Sequence, residues 1–184
     1  MALQRALRPG MCYWDVGANV GFYSLLGSRL AGPEGRVVAI EPDPENAKRL
    51  RAAVERNGLR NIEVVEAALG SWDGVVALER CGARSRLLAA REETTGGDTV
   101  SVTVRTAEGL AGRFGAPDVV KVDVEGAEVE VLRGFGSLLR ERKPVFLVEF
   151  HGEELLEEAR KLLPDYSFCR IDRDHWRLEP AGSP

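Results

Sequence analysis

In the run VKVDVEGAEVEVLRG, residues 120–134, the side chains of Lys121, Asp123 and Glu125 fall on alternate positions, so in an extended strand they share one face. Glu128 follows in what reads as the first turn of a helix, and Gly126 permits the sharp bend between them. In VFLVEFH, residues 145–151, Glu149 and His151 share a face in the same way. A lysine and several acids in central strands are costly to bury unless they pair or face a cavity. Carboxylates beside an imidazole at one sheet edge suit proton transfer. His151 is the natural base by its pKa, Asp123 is placed to orient a ligand, and Glu125, Glu128 and Glu149 are candidate partners for a hydroxyl or a divalent cation. Lys121 is expected to pair with a carboxylate, and His175, in a terminal hairpin, to be structural.

A second constellation lies near the N-terminus, in YWDVGANVGFYS, residues 13–24. Asp15 and Val16 close a short apolar run, and Gly17, Ala18, Asn19 and Gly21 form a turn before an apolar helix that carries Tyr23. Glycines there admit backbone angles barred to other residues and let a ligand lie against the main chain. A dinucleotide turn would read GxGxxG, which is absent. An acid two residues before the first glycine and a second glycine four residues later fit S-adenosylmethionine, whose ammonium and sulfonium give the acid something to hold. Glu41, about twenty residues on and followed by Pro42, is placed to accept hydrogen bonds from a ribose diol, as it would also be in an NAD enzyme. Glu66 and Ala67, at the end of the next strand, fall where an adenine ring would rest.

The elements that must hold these residues alternate. Strands are expected at 12–16, 36–42, 61–69, 118–124 and 144–150, and helices at 21–31, 44–58, 107–115, from 126 to 143, and 152–163. The middle reads as two strand-like runs around an exposed loop, in which Arg84, Ser85 and Arg86 are candidate contacts for an anionic or glycosyl acceptor but read as a solvated surface. YSFCRID and HWRLEP, joined by a tight turn at Arg173-Asp174, form a terminal hairpin. Strands alternating with helices imply a three-layer α/β domain with a parallel sheet, whose last strand the hairpin makes antiparallel. No linker or repeat divides residues 1–184, so a single domain is expected.

Composition narrows the classes. With 44% apolar and 29% charged residues the chain is an ordinary globular one, and a net charge of −4 argues against a nucleic-acid partner. No apolar run is long enough for a membrane span and the first ten residues lack a signal-peptide core. Cys12, Cys81 and Cys169 are widely spaced, which disfavours disulfides and zinc and fits the cytoplasm.

Taken together, DVGANVGFYS, AIEPDPENAKRL, EAALGSWDG, VVKVDVEGAEVEVLRG and KPVFLVEFH resemble, in order and spacing, the FkbM family of S-adenosylmethionine-dependent methyltransferases. The resemblance implies the Rossmann-like fold with a seven-stranded, mostly parallel sheet, S-adenosylmethionine as cofactor, and O-methylation of a sugar, glycoconjugate or secondary-metabolite hydroxyl. On it, Asp15, Val16, Gly17, Ala18, Asn19, Gly21, Tyr23, Glu41, Pro42, Glu66, Ala67 and Asp123 are the cofactor set, and His151, Asp123, Glu125 and Glu149 the catalytic set. No metal is expected, since the ligand asparagine of catechol-type enzymes is missing beside Asp123, Glu125 and Glu149. Two departures stand out: Glu108 replaces the family's usual Asp, and the chain starts almost at the first strand, without the helices that often cover the pocket. A homodimer or partner is a candidate to complete the acceptor site. The alternatives are a cofactor-binding module without activity and transfer to nitrogen or another non-sugar acceptor.

Overall fold

The structure, a computed structural model, describes residues 1–81, 84–87 and 98–182. The elements run α1 (Ala2–Ala6), β1 (Cys12–Val16), α2 (Phe22–Ala31), β2 (Arg36–Ile40), α3 (Pro44–Arg56), β3 (Ile62–Val65), β4 (Ala68–Leu69), β5 (Gly74–Cys81) and β6 (Arg84–Leu87). They continue as β7 (Asp98–Arg105), α4 (Ala107–Phe114), β8 (Val119–Val122), α5 (Glu128–Arg133), α6 (Leu138–Glu141), β9 (Val145–Glu149), α7 (Glu153–Leu162), β10 (Tyr166–Arg170) and β11 (His175–Pro180).

Seven strands form the main sheet in the order β10-β11-β9-β8-β1-β2-β3. All neighbours pair in parallel except those of β11, which is antiparallel to both β9 and β10. The strand order reverses between β1 and β8, so the carboxyl ends of these two strands open the crevice where ligands of such sheets bind. The buried faces explain why these strands are so apolar. Trp14, Val38, Val120, Phe146 and Leu178 point to one side, where Val129, Leu132 and Phe135 from the α5 segment and Leu156 from α7 cover them. Phe135 meets Phe146 edge-on with ring centroids 5.0 Å apart. On the opposite side Tyr13, Val37, Val119 and Leu147 pack under Leu3 and Leu7 and against Ala31 of α2. The N-terminal stretch, expected to lack a helix that would cover the pocket, carries a short one, α1, that closes part of this face.

Two expected elements are subdivided, and the middle strands form a sheet of their own. The single strand expected over 61–69 is two, because Ala68 and Leu69 leave the main sheet and pair with Val104 and Arg105 of β7. The helix expected from 126 to 143 breaks at Gly134, whose Cβ position would lie 2.0 Å from the Gly70 carbonyl oxygen, so β4's exit and the end of α5 lock together. The middle strands, with β6 in what was expected to be a loop, make a second sheet in the order β4-β7-β5-β6. The Cys81, Arg84, Ser85 and Arg86 side chains and the loop 88–97 lie outside the described residues. Among the described residues no helix is long and apolar enough to cross a membrane.

Candidate active site

At the end of β1 the chain turns on Gly17 (φ +76°) and Gly21 (φ +96°), with Asn19 also left-handed between them (φ +50°). These left-handed angles are the ones expected to require glycine, and the packing adds a second reason. A Cβ on Gly17 would sit 1.9 Å from the backbone oxygen of Asp123, and one on Gly21 would sit 2.2 Å from Leu50 Cδ1. Glycine here also brings the turn against the end of β8 and against α3. The Gly17 and Ala18 N–H groups both donate to the Ile40 carbonyl, at 3.0 and 3.1 Å, which pins the turn to the end of β2. Ala18 is buried with Leu50 and Ala39.

Asp15 lies beneath this turn, fully buried. Ser24 Oγ donates to its Oδ2 at 2.6 Å, while Oδ1 has no hydrogen-bond partner and sits 3.7 Å from Lys121 Nζ. Burial raises the Asp15 pKa above the usual carboxylate value, and the Lys121 charge and the Ser24 hydroxyl offset only part of that. Lys121 itself bonds Asp123 Oδ2 at 3.0 Å and stands over the Tyr23 ring at 4.8 Å, so its expected pairing at the sheet edge is present.

A cavity opens along this edge, walled by Val16, Gly17, Asn19, Glu41, Pro42, Ala67 and Asp123 from the expected set, together with Asn46, Ala68, Leu78, Leu87, Val124 and Glu125. Glu41 is buried at its end: Oε2 accepts the Asn19 N–H at 2.8 Å and Oε1 accepts the Asp43 N–H at 2.9 Å. Each oxygen keeps a second lone pair for a diol. Burial pushes the Glu41 pKa up, and the two backbone N–H bonds pull it partly back. Asp43 caps α3 by accepting from the Glu45 N–H and grips Arg80 of β5 through both oxygens, at 2.7 and 3.0 Å. That grip ties the second sheet to the cavity, where Leu78 and Leu87 supply apolar wall. Alternation within the middle strands gave no means of placing these leucines from sequence. Of the other expected cofactor residues, Asp15, Ala18 and Gly21 lie behind the turn and do not line this cavity, Glu66 is half-exposed and pairs with Arg51 at 2.8 Å, and Tyr23 faces a different cavity.

The carboxylates and His151 do gather at the carboxyl ends of β8 and β9. Buried Glu128, at the start of α5, accepts the His151 Nδ1–H at 2.7 Å and the Gly126 N–H at 3.1 Å. A carboxylate only accepts, so Nδ1 carries the proton and Nε2 is turned to the acids. It lies 3.5 Å from Glu125 Oε2 and 3.7 Å from Glu149 Oε1. Burial works against a charged His151, yet the Glu128 bond and the charges of Glu128, Glu125 and Glu149 outweigh it and hold the pKa above the usual histidine value. Asp123, Glu149 and His151 each offer one ligand atom within 4.8 Å of the others, a set able to hold a metal ion.

A second cavity, about 250 Å³, lies on the other side of Asp123. Tyr23, Lys121, Asp123, Glu149 and His175 supply its polar wall, and Met1, Leu3, Leu147 and Ile171 its apolar one. His175, expected to be structural, takes part: its Nε2 lies 3.2 Å from Glu149 Oε2 and its Nδ1 2.8 Å from Asp172 Oδ1. The cue is the antiparallel register, which sets His175 opposite Glu149 and becomes visible only once β11 is paired with β9. Glu108 sits away from both cavities and accepts the Ser137 N–H, joining α4 to the turn before α6.

Comparison with known proteins agrees with this layout. A family model described as the methyltransferase FkbM domain matches residues 15–169. The hexuronic acid methyltransferase AglP of Haloferax volcanii is 31% identical over 156 residues, covering 83% of this chain and 61% of that protein. The crystal structure of methyltransferase FkbM from Methylobacillus flagellatus superposes with a TM-score of 0.67 at 21% identity, over 96% of this chain and 48% of that one. Fibrillarin of Aeropyrum pernix, solved with natively bound S-adenosyl-L-methionine, superposes with a TM-score of 0.61 at 16% identity, covering 96% and 68%. The chain therefore spans less than two thirds of the length of the first two relatives.

Proposed function

The chain belongs to the FkbM methyltransferase family, and from that premise we propose that it transfers a methyl group from S-adenosylmethionine to a hydroxyl of a sugar or glycoconjugate. The observation that carries the proposal is the position of Asp123, in the wall of the Glu41 cavity on one side and of the second cavity on the other. A donor in the first and an acceptor in the second would meet at this carboxylate.

The first cavity fits the cofactor by its chemistry. Glu41 presents lone pairs for the ribose diol, Ala67 and Ala68 leave room for a purine, and the Asp123 carboxylate, with buried Asp15 behind the turn, is in the wall for the end that would take the ammonium and sulfonium. When bound, the sulfonium supplies an electrophilic methyl carbon. The residues of this chain then have two tasks. They hold the acceptor oxygen in line, an arrangement worth up to roughly 7–11 kcal/mol in favourable cases. They also take the hydroxyl proton, worth about 10²–10⁴-fold, at the cluster of His151, Glu125 and Glu149. The hexuronic acid acceptor named for the Haloferax volcanii relative makes uronic-acid glycosides the first class to try.

The test is calorimetric titration with S-adenosylmethionine, followed by a mass-spectrometric screen for methylated glycosides. The expected result is binding that Glu41→Ala weakens at least about tenfold and a methyl ether on the acceptor. Cofactor binding with no turnover on any hydroxyl acceptor would leave a binding module instead. Binding of NAD alone would remove the cofactor assignment.

A further inference from the structure

We propose that Asp123, Glu149 and His151 form a site for a first-row divalent cation at the junction of the two cavities. The position and the ligand set stand on the cluster's own geometry; what the ion would do there rests on the methyl-transfer reading.

Three observations converge. The first is spacing. His151 Nε2 lies 3.5 Å from a Glu125 oxygen and 3.7 Å from a Glu149 oxygen, and the Asp123, Glu149 and His151 ligand atoms all fall within 4.8 Å of one another. These separations are long for direct hydrogen bonds. The 3.7 Å gap between His151 and Glu149 falls within the range between ligands on a shared cation, roughly 3.4 Å around tetrahedral zinc and from about 3.0 Å for neighbours to 4.2 Å for opposed ligands in an octahedron, and the 4.8 Å bound on the set asks for a small inward shift on binding.

The second observation is the support behind the imidazole. The buried Glu128 carboxylate holds Nδ1–H at 2.7 Å and is itself fixed by the Gly126 N–H, so the ring presents Nε2 in one orientation and one tautomer. A carboxylate behind a histidine in this way is the usual outer support of a metal-binding imidazole. Glu149 is held similarly, with Oε2 against His175 and Oε1 toward His151.

The third is charge. Asp15, Asp123, Glu125, Glu128 and Glu149 converge on this edge, faced by the cations of Lys121 and, when protonated, the two histidines. A divalent ion would balance that excess. Two carboxylates and one imidazole suit manganese or zinc better than calcium, which takes an all-oxygen shell. An acceptor hydroxyl entering from the second cavity would complete the coordination and lose its proton to Glu125. The C–O bond would form as the S–CH₃ bond breaks and the sulfonium becomes a thioether.

The test is titration of the full chain with Mn²⁺, free ion followed by electron paramagnetic resonance, with S-adenosylmethionine binding measured on the same preparation. The expected result is one saturable Mn²⁺ per chain, displaced by Zn²⁺. Glu149→Gln and His151→Gln should each weaken it by roughly tenfold or more, and Glu128→Gln, acting through His151, by about tenfold. Glu63→Gln, an exposed acid on β3, should leave it unchanged. Both ligand variants are near-isosteric and part-exposed, so one failing to fold leaves the other to decide. Cofactor binding without saturable Mn²⁺ binding overturns the cation site alone. Mn²⁺ binding without cofactor binding keeps the site and removes the methyl-transfer reading. Mn²⁺ binding that neither ligand variant weakens puts the ion elsewhere and overturns the proposal.

Discussion

Replacing Gly17 with alanine separates two costs that sequence reading merges. The first is conformational: an L-residue at φ +76° costs about 1–2 kcal/mol. The second is contact. The new Cβ would lie 1.9 Å from the Asp123 carbonyl oxygen and 2.9 Å from its carbon, both backbone atoms, so the end of β8 must move. Forced overpacking of this kind costs about 1–3 kcal/mol. Gly17→Ala should therefore lose about 2–5 kcal/mol. Gly10→Ala provides the control: its φ is +86°, but nothing lies within 4 Å of the added carbon, so only the conformational cost applies. Guanidinium unfolding of the two variants beside the parent reads the difference, and a gap of about 1–3 kcal/mol is the close approach of the turn to β8. Cofactor titration should show Gly17→Ala weakened as Asp123 shifts, and Gly10→Ala unaffected. Equal midpoints for the two variants would refute the packing account of this turn.

Three further outcomes follow from the same geometry. Arg80→Ala releases the second sheet from Asp43, and cofactor affinity should fall by about tenfold, the loss expected when a charge-assisted bond near 1.5 kcal/mol is removed; unchanged calorimetric affinity would detach β5 from the site. Burial raises the Asp43 pKa, but Arg80 and the Glu45 and Asn46 N–H groups overcome it, so the folded value is below the usual aspartate value. Its stabilisation is therefore present above that pH and lost as pH falls through the lower folded value, a component of the acid-unfolding curve that Arg80→Ala should flatten. Asp15 runs oppositely: its folded pKa is raised, chiefly by burial, so its contribution is lost as pH rises. Asp15→Asn should melt at or above the parent temperature near neutrality, converge with it toward pH 4, and bind cofactor more weakly; a melting point well below the parent at neutral pH would contradict this.

The residues that sequence reading placed best were those fixed by local period. Alternation put Lys121, Asp123 and Glu125 on one face and Glu149 and His151 on another. Lys121, Asp123 and Glu149 do wall one cavity, whereas β8 ends at Val122 and β9 at Glu149, so Glu125 and His151 lie past the strands and Glu125 walls the other cavity. The glycine turn was readable from spacing, though its packing against Asp123 was not, because that contact joins residues far apart in the chain. Glu66 and Ala67 show how sharply strand ends limit such reading: adjacent residues, one pairs with Arg51 outside while the other walls the cavity. The break at Gly134 was not anticipated in the helix read from 126 to 143, because its cause is the distant Gly70 carbonyl. His175 and the leucines of β5 and β6 depended on pairings between strands, which no local pattern encodes.

Asp123 belongs to both cavities, and a carboxylate shared in this way makes them one thermodynamic unit. Whatever a bound donor does to the affinity for the acceptor, the acceptor must do equally to the donor. In the proposed methyl transfer the sulfonium loses its positive charge when the methyl leaves, so turnover would leave the Asp123 charge less neutralised toward the neighbouring cavity. Spent cofactor and fresh cofactor should hold the same acceptor with different strength, and the order in which the two products depart is then written into a single side chain.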